Sequence, residues 1–137
     1  MTGIPVVRTT RAVRFATIAP AGFRILAAID AATKVFGMDI VITSGTDSHT
    51  TGRHPTGEAY DVRTIDISPA VVVKLYRHFQ RVLGARFTVL YEAPTLPTDE
   101  TLAAITTVNK HATGSHLHIQ VKRDTTYPPT GGKSQAT

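Results

Sequence analysis

The chain has 137 residues, 42 % of them apolar and 18 % charged, which suits one globular domain and excludes a disordered chain. It contains no cysteine, so disulfide scaffolds, thiolate metal sites and cysteine nucleophiles are excluded, and any metal must be held by His, Asp or Glu. The net charge of +5 admits an anionic partner such as nucleic acid, a bacterial envelope or a membrane surface.

Residues 1–20 read as an irregular or extended arm. Its basic start (Arg8, Arg11, Arg14) and uncharged stretch from Phe15 to Phe23 hold Pro20 and run into an amphipathic helix. The expectation is mature protein without a signal peptide. Residues 22–36 predict that helix, with Ile25, Ile29, Ala32 and Phe36 on one stripe and Gly37 as the stop. Residues 39–43 are β-branched and apolar, a buried strand. A loop rich in Ser, Gly, Thr and His follows over 44–58, then a strand at about 59–64.

Ser68 and Pro69 open a second helix, whose apolar face is Val72, Leu75, Tyr76, Phe79, Val82 and Leu83, and Gly84 ends it. Residues 86–92 alternate as a strand. Residues 93–114 read as a polar insertion with a short helix at 98–110, favoured by Asp99 and Glu100 at its start and Lys110 at its end. Residues 116–122 are the clearest strand: Leu117, Ile119 and Val121 face one way, His116, His118, Gln120 and Lys122 the other. The tail 124–137, rich in Pro, Gly, Ser and Thr, predicts disorder. The expected fold is α+β, a small, mainly antiparallel sheet with helices on one face, forming a single domain over 1–123. No apolar run reaches the ~20 residues of a membrane span, so no membrane insertion is expected.

Five of the six histidines fall into two clusters. One runs from Ser48 and His49 through Arg53 and His54 to Asp61; the other is His111 to His118. His78 lies alone on the second helix and reads as structural or surface. A turn at Pro55–Gly57 would let His54 and Asp61 approach one point, with His118 arriving from a neighbouring strand. His116 would stand roughly 7 Å further along the same face, twice the strand rise, a position suited to acid–base or oxyanion work. A lone H-x-H is weak, and loop histidines are commonly just exposed. The two clusters together, each beside a strand and each supplied with turn glycines, point to a metal site.

The pattern His54-x-x-Gly57-x-Ala59-x-Asp61 followed by His116-x-His118 resembles the zinc D-Ala-D-Ala carboxypeptidase family. That family shares a superfamily with the hedgehog domain and the lysostaphin-type peptidases. The similarity spans roughly residues 22–122, and Ser44-Gly45 after an apolar strand matches the start of the family's Ser-Gly-Tyr-Arg segment. The resemblance implies a hedgehog/D-Ala-D-Ala-peptidase-like fold and one zinc ion held by His54, Asp61 and His118. It implies that His116 polarises the carbonyl or steadies the oxyanion, and that an acidic residue acts as general base. Ser115 stands where endolysin-like members carry an acid, so Glu92, in Val89-Leu90-Tyr91-Glu92, is the candidate base and Glu100 the reserve. Thr46-Asp47 replace the family's Tyr-Arg, so a substrate carboxylate clamp must come from elsewhere. Ser48, His49 and Arg53 are the substrate-binding candidates, and Arg53 reads equally well as surface charge.

The implied activity is zinc-dependent hydrolysis of an amide bond in the peptide stem of peptidoglycan, of carboxypeptidase or endopeptidase type. A monomeric phage endolysin acting on the bacterial cell wall is the expected setting. The alternative is a catalytically silent zinc-binding recognition domain. A nucleic-acid binder ranks last, because the arginines are scattered, without aromatic interleaving or a reader motif.

Overall fold

The computed structural model describes residues 3–45, 54, 56–122 and 127–128. In chain order the elements are β1 (Val7–Thr9), α1 (Pro20–Phe36), β2 (Ile40–Ser44), β3 (Ala59–Arg63), α2 (Pro69–Leu83), β4 (Phe87–Ala93), α3 (Glu100–Ile105), β5 (Thr106–Val108) and β6 (His116–Val121). The strands form one sheet of order β1-β2-β3-β6-β4-β5. The fold is α+β, with the three helices packed on a mixed sheet. The β2·β3, β3·β6 and β4·β6 pairs are antiparallel, while β1·β2 and β4·β5 at the two edges are parallel.

Both edge strands correct the sequence expectation. The arm 1–20 contributes β1, and the 93–114 insertion contributes β5, paired with Tyr91–Ala93 of β4. Neither three-residue strand has enough alternation to announce itself; each is recruited by the open edge of a longer neighbour. The helix expected at 98–110 ends at Ile105, and the Thr106 hydroxyl closes it by donating to the Leu102 carbonyl. The Asp99 side chain caps its start by accepting from the Leu102 N–H at 2.9 Å. Ser68 does occupy the cap position of α2, but its side chain makes no capping hydrogen bond there.

The core lies between the helices and one sheet face. Ile25 and Ile29 of α1, Val72, Leu75 and Phe79 of α2, and Tyr60, Val62, Leu117, Ile119 and Val121 of the central strands are all at most 1 % exposed. Burying each such side chain is worth about 1.5–3 kcal/mol, and this row holds β3 and β6 flat against the helices. His78 belongs to this layer, buried with its ring edge-on to Phe36 and Phe79. Burial, reinforced by Arg81, pushes its pKa down. Of the expected tail, Tyr127 packs its ring against Phe87 at 5.2 Å; the rest of 124–137, Pro128 apart, lies outside the described residues. Among the described residues no helix is long and apolar enough to cross a membrane.

One close approach ties α1 to the turn before β3. Gly57 sits at φ +73°, and its N–H closes a turn on the His54 carbonyl at 2.9 Å. A Cβ on Gly22 of α1 would overlap the Gly57 carbonyl oxygen, and one on Gly57 would overlap the Thr17 carbonyl. The buried Tyr60 hydroxyl donates to the same Gly57 oxygen at 3.3 Å. Backbone therefore meets backbone where a side chain would hold them apart. Gly22→Ala should destabilise the protein by about 1–3 kcal/mol through overpacking, measured by denaturant unfolding. A change within the ~0.5 kcal/mol of an ordinary surface substitution would show that the crossing is not tight.

Candidate metal centre

The antiparallel register of β3 and β6 sets the site. Asp61 pairs with His118 and Arg63 with His116; across β4, Leu90 pairs with His118 and Glu92 with His116. Residues that face each other in register share a face, so Asp61, Arg63, His116, His118, Gln120 and Glu92 all stand on the face opposite the core. Leu117 and Ile119 are buried on the other side, and that pins the imidazoles outward: a one-residue slip would drive two histidines into the core. His54 joins from the turn that Gly57 closes.

The ligand atoms of His54, Asp61 and His118 all lie within 4.8 Å of one another. His118 Nδ1 is 2.8 Å from Asp61 Oδ1, and His54 Nε2 is 3.4 Å from that oxygen and 3.3 Å from His118 Nδ1. The three residues expected from the sequence are thus brought together. His54 and Asp61 are buried, and His118 nearly so.

The other ring nitrogens are held by groups the sequence did not single out. His54 Nδ1–H donates to the Gly45 carbonyl at 3.0 Å, which leaves Nε2 to face the cluster. His118 Nε2 lies 2.7 Å from Gln120 Oε1, which can only accept, so Nδ1 is the nitrogen turned toward Asp61. Fixing the far nitrogen in this way selects the tautomer a metal requires. Gln120 was legible in principle, since it follows His118 by two on an alternating strand. The Gly45 carbonyl was not, because a backbone oxygen nine residues before His54 carries no sequence signal of its own.

Beside this triad stands a second pair. His116 Nε2 donates to Glu92 Oε1 at 2.9 Å, and its Nδ1 donates to the Gly114 carbonyl at 3.1 Å. With both nitrogens donating, the ring is held as an imidazolium. His116 Nε2 is also 3.9 Å from Asp61 Oδ1, so the pair borders the triad. The structure therefore brings Glu92 and His116 together at the edge of the cluster. Glu100, the reserve base, lies exposed at the start of α3 and is not part of the cluster. Ser48, His49 and Arg53 lie outside the described residues.

The charges balance within the cluster. Burial alone would raise the Asp61 pKa, but hydrogen bonds from His118 and His54 and the charge of His116 hold it well below the usual carboxylate range. The His116 hydrogen bond likewise outweighs burial at Glu92 and lowers its pKa. Burial would lower both His116 and His118. Glu92 and Asp61 outweigh it at His116, and Asp61 with Gln120 outweighs it at His118, so both are raised.

Two imidazole nitrogens and a carboxylate oxygen converging on one point, with the far nitrogens of both rings fixed, form a donor set that fits a metal ion. Comparison with protein-family models, with curated proteins and with solved structures finds no match to this chain.

Two outcomes are expected. His54→Ala, Asp61→Ala and His118→Ala should each abolish stoichiometric zinc binding by elemental analysis; full occupancy in any of them removes that residue from the ligand set. Zinc requires neutral His118, whose pKa is raised, and ionised Asp61, whose pKa is lowered. The carboxylate is therefore ready at every ordinary pH and the imidazole is the group to be deprotonated. Affinity should rise with pH through the histidine range and above 6.5, with protons released on binding, as read by calorimetry in buffers of different ionisation enthalpy. An affinity flat across that range would contradict the assignment.

Proposed function

We propose that this protein is a zinc-dependent peptidase that hydrolyses an amide bond in the peptide stem of peptidoglycan. The observation that carries the proposal is the joining of two units on one sheet face: the His54–Asp61–His118 triad, and the Glu92–His116 pair that borders it through Asp61. A metal site alone would suit a structural or recognition role. A carboxylate and an imidazolium at its rim are the groups that amide hydrolysis needs in addition. The likeness of the His54–Asp61 and His116–His118 motifs to the D-Ala-D-Ala carboxypeptidases supplies the substrate class. The net positive charge suits an anionic wall.

Zinc held by His54, Asp61 and His118 would supply Lewis acidity toward the scissile carbonyl and acidify water beside it. Glu92 is ionised, and a carboxylate has two oxygens. Oε1 holds His116, while Oε2 is left to accept the proton of the attacking water and pass it to the departing amine. His116, kept cationic by Glu92 and the Gly114 carbonyl, offers positive charge where the carbonyl oxygen becomes an oxyanion. The Gly114 contact keeps the ring from turning as the charge develops. Holding each ring by a second hydrogen bond spares the site reorganisation during the reaction.

The test is to incubate the zinc-loaded chain with defined muropeptides, with and without chelator, and to identify products by mass. Chelator-sensitive cleavage is expected. Stoichiometric zinc without turnover would instead support a silent recognition domain, and salt-dependent DNA binding that survives chelation would support a nucleic-acid role. Glu92→Gln should keep zinc and lose about 10²–10⁴-fold in kcat, the usual worth of a general base. Undiminished turnover in that variant would remove Glu92 from the role of general base.

A further inference from the structure

Between Asp66 and Glu92 the chain carries four cations, Lys74, Arg77, Arg81 and Arg86, and no acid. The first three lie on α2. At the turn of an α-helix they fall within about 60° of one another, in a stripe about 10 Å long. The buried residues of the helix, Val72, Leu75, Phe79 and Leu83, lie on its opposite side. The core therefore turns the stripe straight out of the molecule, and all three cations are exposed. Since α2 packs on the sheet face away from the metal centre, the stripe and the cluster around Asp61 point in opposite directions. We infer that this face of α2 is a docking surface for a linear phosphodiester polymer of the bacterial wall, held while the metal centre stays open on the far side. The choice of a wall polymer rests on the function proposed above; the docking surface itself does not.

The charge on this face is left uncompensated by the fold. Elsewhere Arg8 meets Asp39 at 2.6 Å, and Lys34 meets Asp30 and Arg63 meets Asp66 at 3.6 Å. Among the described residues no carboxylate pairs with Lys74, Arg77 or Arg81, nor with Arg86 just beyond the helix. The helix α3 also packs on α2, but its Asp99 caps the Leu102 N–H, and neither Asp99 nor Glu100 pairs with the stripe. Arg81 donates to His78 Nδ1 at 3.3 Å. That bond tethers one member of the stripe without neutralising it. Like charges three and four residues apart on a helix repel each other. A polyanion laid along them relieves the repulsion and releases its own counterions.

The same face narrows the partner. A helix that lies in a bilayer surface sinks its apolar side into the lipid, whereas the apolar side of α2 is committed to the core. Recognition of single-stranded nucleic acid adds aromatic rings for the bases to stack on, and the exposed residues of α2 include no aromatic. What the stripe offers is charge at regular intervals and, from its arginines, paired N–H donors that match phosphate oxygens.

The test is binding of zinc-loaded, full-length protein to polyglycerol phosphate of defined length, measured by calorimetry over a salt series. Affinity should fall as salt rises. Lys74→Gln/Arg77→Gln, which keeps the bond between Arg81 and His78, should lose about tenfold or more at low salt, and its salt slope should drop by about one to two. Arg11→Gln/Lys110→Gln removes the same charge from exposed positions elsewhere and should lose less than about threefold. Zinc content, circular dichroism and cutting of soluble muropeptides should be unchanged in both. Should the α2 pair not fold, Lys74→Gln and Arg77→Gln singly should each lose about threefold. No binding by the wild type, equal losses in the two double variants, or no loss in either α2 single would overturn the inference. So would tighter binding, at equal salt, of a DNA duplex or of anionic phospholipid vesicles of matched phosphate content. If the wild type cuts no muropeptide, the peptidase proposal fails separately, and the binding series still decides the surface.

Discussion

The antiparallel pairing of β3 with β6 is the constraint from which the site follows. Five register pairs, from Ala59 with Gln120 to Arg63 with His116, align the two strands. The alternation then sorts the residues by chemistry. Tyr60, Val62, Leu117 and Ile119 go under the helices, and Asp61, Arg63, His116 and His118 go to the opposite face. The buried side fixes the register, because a slip would bury charge. The hydrophobic core thus sets the distances at the polar face without touching it, and β4 repeats the device by bringing Glu92 opposite His116.

That face gathers two carboxylates and three imidazoles, most of them buried or nearly so. Such a cluster is costly unless its charges compensate, since desolvation penalises each ionised group. Here they do compensate. Asp61 is the common acceptor of the triad and borders His116, while Glu92 takes His116 directly. The outcome is a division of labour by position. His118, beside Asp61 and with its far nitrogen tied to Gln120, is arranged as a ligand. His116 meets Glu92 instead, outside the triad. Both rings have an amide oxygen at one nitrogen and a carboxylate at the other, so what separates the two histidines is which carboxylate each faces.

His54 reaches the sheet by different means. It belongs to no strand, so register does not place it. Its position depends on the turn to Gly57, on the packing of Gly57 against Thr17 and Gly22, and on the Gly45 carbonyl that holds its Nδ1. The start of α1 and the end of β2 are therefore part of the site's support although neither supplies a ligand. Backbone packing carries this load because it leaves few alternatives: a glycine crossing is tight or it does not form.

Much of this was legible in the sequence. Strict alternation over 116–122 assigned the histidines to one face, because a strand has a period of two whatever surrounds it. The spacing of His54, Gly57 and Asp61 announced a turn entering a strand, and the lack of cysteine restricted metal donors to imidazole and carboxylate. The two long helices followed from apolar stripes and their stops. What only the tertiary structure decided were the relations between elements. The parallel edge strands β1 and β5 are too short to carry a pattern, and exist because a neighbour's edge was open. The pairing of Glu92 with His116 joins residues 24 apart in sequence, across strands whose register local pattern does not encode. Gln120 and the Gly45 carbonyl became parts of the site only once the strands were side by side. Sequence periodicity specifies which way a side chain points; which groups it then meets is fixed by strand order and register, and those are set by the packing of the whole core.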